Sequence, residues 1–202
     1  MRESSPIATS SSTQLEAWLQ AVVDTPGLTA LSLHDARSWL VEDSLRAREV
    51  CETSDGPIVD VGSGNGAPGI PLALALPARE FVLLEAGRRR CEFLEQWAPP
   101  NTRVEWGRAE RQPCDWAGVA LAKALAPPTV AAEWCLPLVR PGGIAVIWVG
   151  ASVERERVAR VAERLAAHLV PSTEGLLVFA KDGPTPAGFP RREGVARRRP
   201  LA

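Results

Sequence analysis

Pro57-Ile-Val-Asp-Val-Gly-Ser-Gly-Asn-Gly-Ala-Pro-Gly69 is the stretch that decides the fold. Ile58, Val59 and Val61 surround one acid, Asp60, and the run breaks directly into Gly62, Gly64, Gly66 and Gly69 ahead of an apolar segment at 70–76. That order predicts a strand, a tight turn and a helix start. Glycines suit such a turn because its backbone takes positive φ and a ligand must approach closer than a Cβ allows. The expected occupant is a nucleotide-like ligand.

Two ligand classes use such a turn. Gly64-Asn65-Gly66-Ala67-Pro68-Gly69 satisfies the G-x-G-x-x-G pattern of dinucleotide binders, with a pyrophosphate on the helix N-terminus. An NAD-binding oxidoreductase is therefore one reading. The earlier register, Asp60-Val61-Gly62-Ser63-Gly64-Asn65-Gly66, resembles the first motif of S-adenosylmethionine-dependent methyltransferases. Asp60 favours the second, because a carboxylate at the strand mouth repels a pyrophosphate and suits the ammonium of a methionine moiety.

The 202 residues fit one sizeable domain with a full core, and 46% hydrophobic with 23% charged residues is an ordinary globular composition. Cys51, Cys91, Cys114 and Cys135 form no C-x-x-C pair and have only His34 and His168 to join them. No metal site and a reduced, cytoplasmic protein are expected. Residues 1–13 are polar and serine-rich, unlike a signal peptide, and the apolar run at 67–78 is interrupted by Pro68, Pro71 and Pro77. A soluble protein without membrane partners is expected, with a monomer as its default state.

Net charge is −1, but it is unevenly spread. Residues 1–56 hold four Arg against nine acids, whereas 187–202 hold five Arg against Glu193. Only Lys123 and Lys181 are lysines among 23 basic residues, so arginine bias alone does not argue for phosphate binding. The local concentration at Arg191, Arg192, Arg197, Arg198 and Arg199 does make a candidate RNA phosphate contact.

Along the chain, 1–13 reads as a flexible lead-in. Thr13 and Glu16 form a capping box for an amphipathic helix at 14–23, and Ser32 or Asp35 starts a second helix running to 51. Strands are expected at 81–85, 103–106, 119–122, 144–149 and 176–180. Helices are expected at 88–97, at 129–139 up to a Pro141-Gly142-Gly143 stop, and at 154–168. The implied class is α/β: a Rossmann-like, mostly parallel sheet with helices on both faces and an N-terminal helical cap. The implied divisions are a lead-in at 1–13, a cap at 14–56, a core at 57–183 and a basic tail at 184–202.

Ligands of such sheets bind at the carboxyl ends of the strands, which makes strand ends the site candidates. Glu85 ends the second strand, where an acid can accept both ribose hydroxyls. Ala109 and Glu110 follow the third, where a backbone amide and a side chain can read an adenine edge. Lys123 follows the fourth, interrupts the apolar run 119–126, and faces the methionine end.

Together these pieces resemble the RsmG/GidB family of methyltransferases. The resemblance is carried by Asp60-Val-Gly-Ser-Gly-Asn-Gly-Ala-Pro-Gly-Ile-Pro-Leu-Ala73, Leu83-Leu84-Glu85 and Gly107-Arg108-Ala109-Glu110. Further pieces are Trp134-Cys-Leu-Pro-Leu-Val-Arg-Pro-Gly-Gly143, Phe189-Pro-Arg-Arg-Glu-Gly-Val195 and Arg199-Pro200-Leu201, with Leu28-Thr29-Ala30 and Asp43-Ser44-Leu45 upstream. The resemblance spans 28–201. It implies a class I fold, S-adenosylmethionine as cofactor, and methylation of N7 of a guanine in small-subunit (16S-type) ribosomal RNA. The partner would be ribosomal RNA or the small subunit. The implied cofactor-binding residues are Asp60, Gly62, Ser63, Gly64, Gly66, Ala67, Glu85, Ala109, Glu110 and Lys123, with Lys123 also a positioning candidate and no general base required.

Three positions depart from the family pattern: Leu40 stands for a histidine, Lys123 for an arginine, and Val149 for a lysine. Lys123 keeps the charge but loses the two-pronged donor set. These departures keep two further readings open, a family-derived enzyme with another acceptor and a non-catalytic S-adenosylmethionine- or RNA-binding protein.

Overall fold

A computed structural model describes residues 6–202, and of residues 6–10 the backbone alone. Seven strands form one sheet in the order β3-β2-β1-β4-β5-β7-β6. β1 (Ile58–Val61), β2 (Phe81–Glu85), β3 (Thr102–Trp106), β4 (Ala117–Ala122) and β5 (Val139–Trp148) run parallel. β7 (Leu176–Lys181) lies antiparallel to both β5 and β6 (Ala167–Val170). β1 is central and buried throughout, which is why its sequence reads as one apolar run rather than an alternating one.

Alternate residues of the central strands feed opposite faces. Val59, Val82 and Leu84 pack with α6 (Pro128–Cys135) and α7 (Arg155–Glu163), while Ile58, Phe81 and Leu121 pack on the other side with α4 (Gly69–Ala75). Beside α4, α1 (Pro6–Asp24) and α5 (Arg88–Trp97) close a third cluster around Trp18, Ile70, Leu83 and Leu94. Among the described residues, no helix is long and apolar enough to cross a membrane.

Several boundaries differ from the sequence expectation. α1 begins at Pro6 and carries Thr13 inside it rather than at a cap, so only residues 1–5 of the expected lead-in lie outside the described residues. The second helix is capped by Ser32 but is irregular. α2 (Leu33–Ala36) passes into a π-helical turn at Arg37–Glu42, a 3-10 turn at Ser44–Ala47, and α3 (Arg48–Thr53). α6 stops at Cys135 because Pro137 cannot continue it, and β5 then includes the Pro141-Gly142-Gly143 expected to precede it, where its pairing with β4 shifts register. α7 stops at Glu163. Ala166 takes φ +54°, and the residues read as its last turn form β6 instead.

The arginine-rich end is not a loose tail. α8 (Val195–Arg198) buries Ala196, Leu201 and Ala202 pack on the core, and Arg157 donates to the Ala202 carbonyl at 2.7 Å. Arg191 holds buried Glu133 of α6 through two bonds of 2.5 and 2.6 Å. Charged residues pair here across 58 positions, which local sequence reading scores as solvated surface.

Trp18 links the helical cap to the glycine turn. Its indole is fully buried and donates to the Asn65 carbonyl at 3.0 Å. Trp18→Ala is expected to lower stability by about 3–5 kcal/mol through the cavity it leaves. Trp18→Phe, which keeps most of the packing but loses the hydrogen bond, should cost about 1 kcal/mol. Urea unfolding of the two variants checks the order; equal effects would contradict the packing role.

Candidate functional site

The strand ends surround a cleft of about 440 Å³, whose lining includes Gly62, Ser63, Gly64, Ala67, Glu85, Ala109, Glu110, Lys123, Leu125, Trp134 and Arg197. Its floor is the glycine turn. Gly62, Gly64 and Gly66 have φ of +71°, +57° and +103°, a region that L side chains rarely adopt. A Cβ on Gly62 would also collide with Leu125, so this glycine meets both demands at once. Gly62 and Ser63 donate to the Leu84 carbonyl, and Gly66 donates to the Ser63 carbonyl. These bonds seat the turn on the end of β2.

Two carboxylates fix the turn from below and from the side. Asp60 is 1% exposed, accepts from the Gly69 amide at 3.1 Å, and does not line the cleft. This differs from the expected contact with a ligand ammonium: Asp60 holds the start of α4 and thereby the turn. Burial pushes its pKa from 3.8 up to about 7, against the Gly69 amide and the Ser63 hydroxyl, which work to hold it down. Glu85 does reach the cleft. Its two oxygens accept from Gly64 N at 2.9 Å and Gly87 N at 2.7 Å. A carboxylate offers about four lone-pair sites, so each oxygen retains capacity for a hydroxyl donor.

Ala109 and Glu110 begin a 3-10 turn after β3 and border the cleft. Glu110 also accepts from the Gly194 amide at 3.2 Å, which ties the C-terminal segment to the site. At the other end, Lys123 bonds the Trp39 carbonyl and the Asp43 carboxylate, with its ammonium 5.9 Å from the Trp148 ring centroid. The Trp148 indole in turn donates to the Asp43 carbonyl at 3.0 Å. Burial pulls the lysine below its ordinary value, against Asp43, which holds it up. Two of its three donors are therefore engaged by the cap, leaving one for a ligand.

The five arginines divide. Arg191 is engaged by Glu133 and by the Arg199 carbonyl, and so acts as a latch rather than a free phosphate contact. Arg197 lies 5.1 Å over the Trp134 ring and lines the cleft. Arg192, Arg198 and Arg199 are exposed. Sequence reading missed Leu28, Arg90, Leu125 and Trp134 as lining residues. Trp134 and Leu28 lie in stretches that carry the family resemblance, whereas no local signal marks Leu125, which is selected by its packing on Gly62.

The buried Asp60 carboxyl has a pH consequence. Between its unfolded value of 3.8 and its folded value of about 7, the folded chain keeps a proton that the unfolded chain has lost. This group's contribution is therefore full below pH 3.8 and declines as pH rises through about 7. Asp60→Asn removes that dependence. Urea unfolding at pH 5 and pH 8 should show the variant gaining stability relative to the unaltered chain as pH rises, and an equal difference at both pH values would contradict it.

The chain is similar to known proteins in sequence and in fold. A sequence profile of the GidB family, described as rRNA small subunit methyltransferase G, matches residues 13–174. The ribosomal RNA small subunit methyltransferase G of Synechococcus elongatus is 35% identical over 185 residues, covering 79% of this chain and 75% of that protein. Its counterpart in Rubrobacter xylanophilus is 34% identical over 193 residues, covering 83% and 70%. Among solved structures, the T. thermophilus 16S rRNA N2 G1207 methyltransferase in complex with AdoMet and guanosine has a TM-score of 0.55 at 14% identity. That match covers 74% of this chain and 41% of the other. A SAM-dependent O-methyltransferase from Thermotoga maritima has a TM-score of 0.54 at 14% identity, covering 70% and 65%. At that identity the two structures speak for the fold, which is the class I methyltransferase fold. The profile and the relatives speak for descent: the chain belongs to the GidB family of small-subunit ribosomal RNA methyltransferases.

Proposed function

We propose that this protein transfers a methyl group from S-adenosylmethionine to N7 of a guanine in small-subunit ribosomal RNA. Membership of the GidB family supports the acceptor, and the observation that carries the cofactor part is Glu85, a carboxylate pinned by two backbone amides at the edge of a cleft floored by positive-φ glycines. The residues fit the cofactor in three respects. The cleft volume is in the range of small-ligand sites. Glu85 has acceptor capacity left for the ribose hydroxyls, and Lys123 has a donor left for the methionine carboxylate.

When bound, S-adenosylmethionine supplies a sulfonium-borne methyl group, which the proton-free lone pair of guanine N7 accepts without a general base. The chain's own part is holding and aligning. Gly62 to Ala67 would give close backbone approach, Ala109 and Glu110 would hold the adenine, and Leu40, Leu125 and Trp134 supply an apolar wall. No His or Cys lines the cleft among the described residues, and this chemistry asks for none.

Two of the departures, Leu40 and Lys123, come together in space, while Val149 packs on the other face of the sheet. Leu40 and Lys123 both line the cleft, Lys123 bonds the Trp39 carbonyl next to Leu40, and its ammonium lies over the Trp148 ring. The joining of these two departures, with Asp43 bonded to Lys123 and Trp148, favours a maintained acceptor wall over decay of an unused site. Lys123 is then a positioning residue that fixes the cap while meeting the cofactor. The partner is the small subunit or its RNA, with Arg192, Arg198 and Arg199 as phosphate contacts.

The test is transfer of labelled methyl to small subunits from cells lacking this gene, with the product digested to bases. Label in 7-methylguanine is expected. Glu85→Ala should weaken cofactor binding roughly 10- to 100-fold, the range for losing charge-assisted hydrogen bonds. Lys123→Ala should weaken it less and also lower transfer. Label in another base, or none despite cofactor binding, would overturn the acceptor assignment.

A further inference from the structure

We infer that a second pocket, on the β3 side of the cleft, binds a nucleotide of single-stranded RNA, with its base stacked on Trp106. This rests on the ribosomal RNA reading above and adds a site to it.

Trp106 ends β3 and is 61% exposed, so burial does not explain a tryptophan there. Its ring is nevertheless held. The indole N–H donates to the Ala86 carbonyl at 3.1 Å, and the Arg88 guanidinium sits 5.2 Å from its centroid. A cavity of about 320 Å³ opens beside it, lined also by Arg108, Arg111, Gln112 and Glu193. The main cleft shares Ala86, Gly107 and Arg108 with this cavity but not Trp106. An occupant would therefore sit next to the bound cofactor without touching it through Trp106.

The chemistry around the ring selects the occupant. A fixed, open indole face is a stacking platform for any base, since every base has a π-face. Gln112 offers both donor and acceptor to a base edge. Arg88 and Arg111, each with a side chain 74% exposed, offer charge to phosphates. With Arg108 they make three exposed arginines around one tryptophan, against the paired acids Glu92 and Glu193. Glu193 bridges Arg108 and Arg111 at 2.6 Å each and sets their spacing. Basic charge interleaved with an exposed aromatic is complementary to single-stranded RNA, and a protein partner would leave the arginines without phosphates.

The experiment uses the full chain with Trp106→Ala, Trp106→Phe and Arg111→Ala. Methyl transfer to unmodified small subunits should show KM raised roughly tenfold by Trp106→Ala, a change of the size stacking on one base provides. kcat and calorimetric cofactor affinity should hold, and Trp106→Phe should restore most of the loss. A mixed-sequence single-stranded RNA oligonucleotide should quench the fluorescence of the unaltered chain more than that of Trp106→Phe. Arg111→Ala should lower the salt slope of oligonucleotide binding by roughly 0.7, one phosphate's share. Unchanged KM, or a parallel loss of cofactor affinity, would overturn the site. Quenching by small-subunit ribosomal proteins and not by the oligonucleotide would assign the patch to a protein and overturn it as well. If the unaltered chain transfers no methyl, the proposed function fails, and the quenching measurement still decides the pocket.

Discussion

The Gly64 amide donates to Glu85 and the Gly69 amide donates to Asp60, so one glycine turn is held between two carboxylates at the ends of adjacent parallel strands. A chain leaving β1 must reverse into α4 within a few residues, and three positive-φ glycines allow that only at a cost in conformational entropy. The carboxylates offset the cost by satisfying amides that a tight turn would otherwise leave without partners. Asp60 does so in a place so buried that its own ionisation is resisted. The arrangement is tolerable because the Gly69 amide and the Ser63 hydroxyl, rather than bulk water, stabilise the charged form.

From that turn the cleft is built outward by elements distant in sequence. Trp18 of α1 grips Asn65, Leu125 after β4 packs on Gly62, and Asn65 reaches back to the Leu28 carbonyl. Lys123 draws the irregular helical segment around Asp43 across one end. At the other end Glu110 and Glu133 draw in the C-terminal segment, which puts Arg197 on the cleft wall. The cap and the C-terminal segment are thus walls of the site. Each is held by polar contacts that span dozens of residues, with apolar packing behind them.

Local signals were enough for much of this. The mostly apolar runs of β1, β2 and β4 are buried on both faces, so composition alone marks them, and positive φ in the turn after β1 leaves its mark as glycine. Glu85 is legible as a cleft residue because it ends the second strand, where the carboxyl ends of a parallel sheet open. Other features depend on partners that no local window contains. The pairing of Arg191 with Glu133 looks like two surface charges until α8 is docked. Asp60 sits in the expected place but faces down into α4, since one residue's rotation along a strand exchanges ligand contact for burial. β6 was hidden by the helical spacing that leads into it, and the π-helical turn at Arg37–Glu42 leaves no trace in propensity. Lys123 lines the cleft, as its place after β4 suggests, while its bond to Asp43, 80 residues away, leaves no local signal.

The most direct measurement is a crystal structure of the full chain with S-adenosylhomocysteine. The ribose hydroxyls are predicted to lie within hydrogen-bond distance of Glu85, with the Gly64 and Gly87 amides still donating to the same carboxylate. The adenine should lie beside Ala109, and the amino-acid end should point toward Lys123. A ligand bound away from Glu85, or a Glu85 carboxylate that must abandon both amides to reach the ribose, would contradict a cleft formed in advance by the glycine turn.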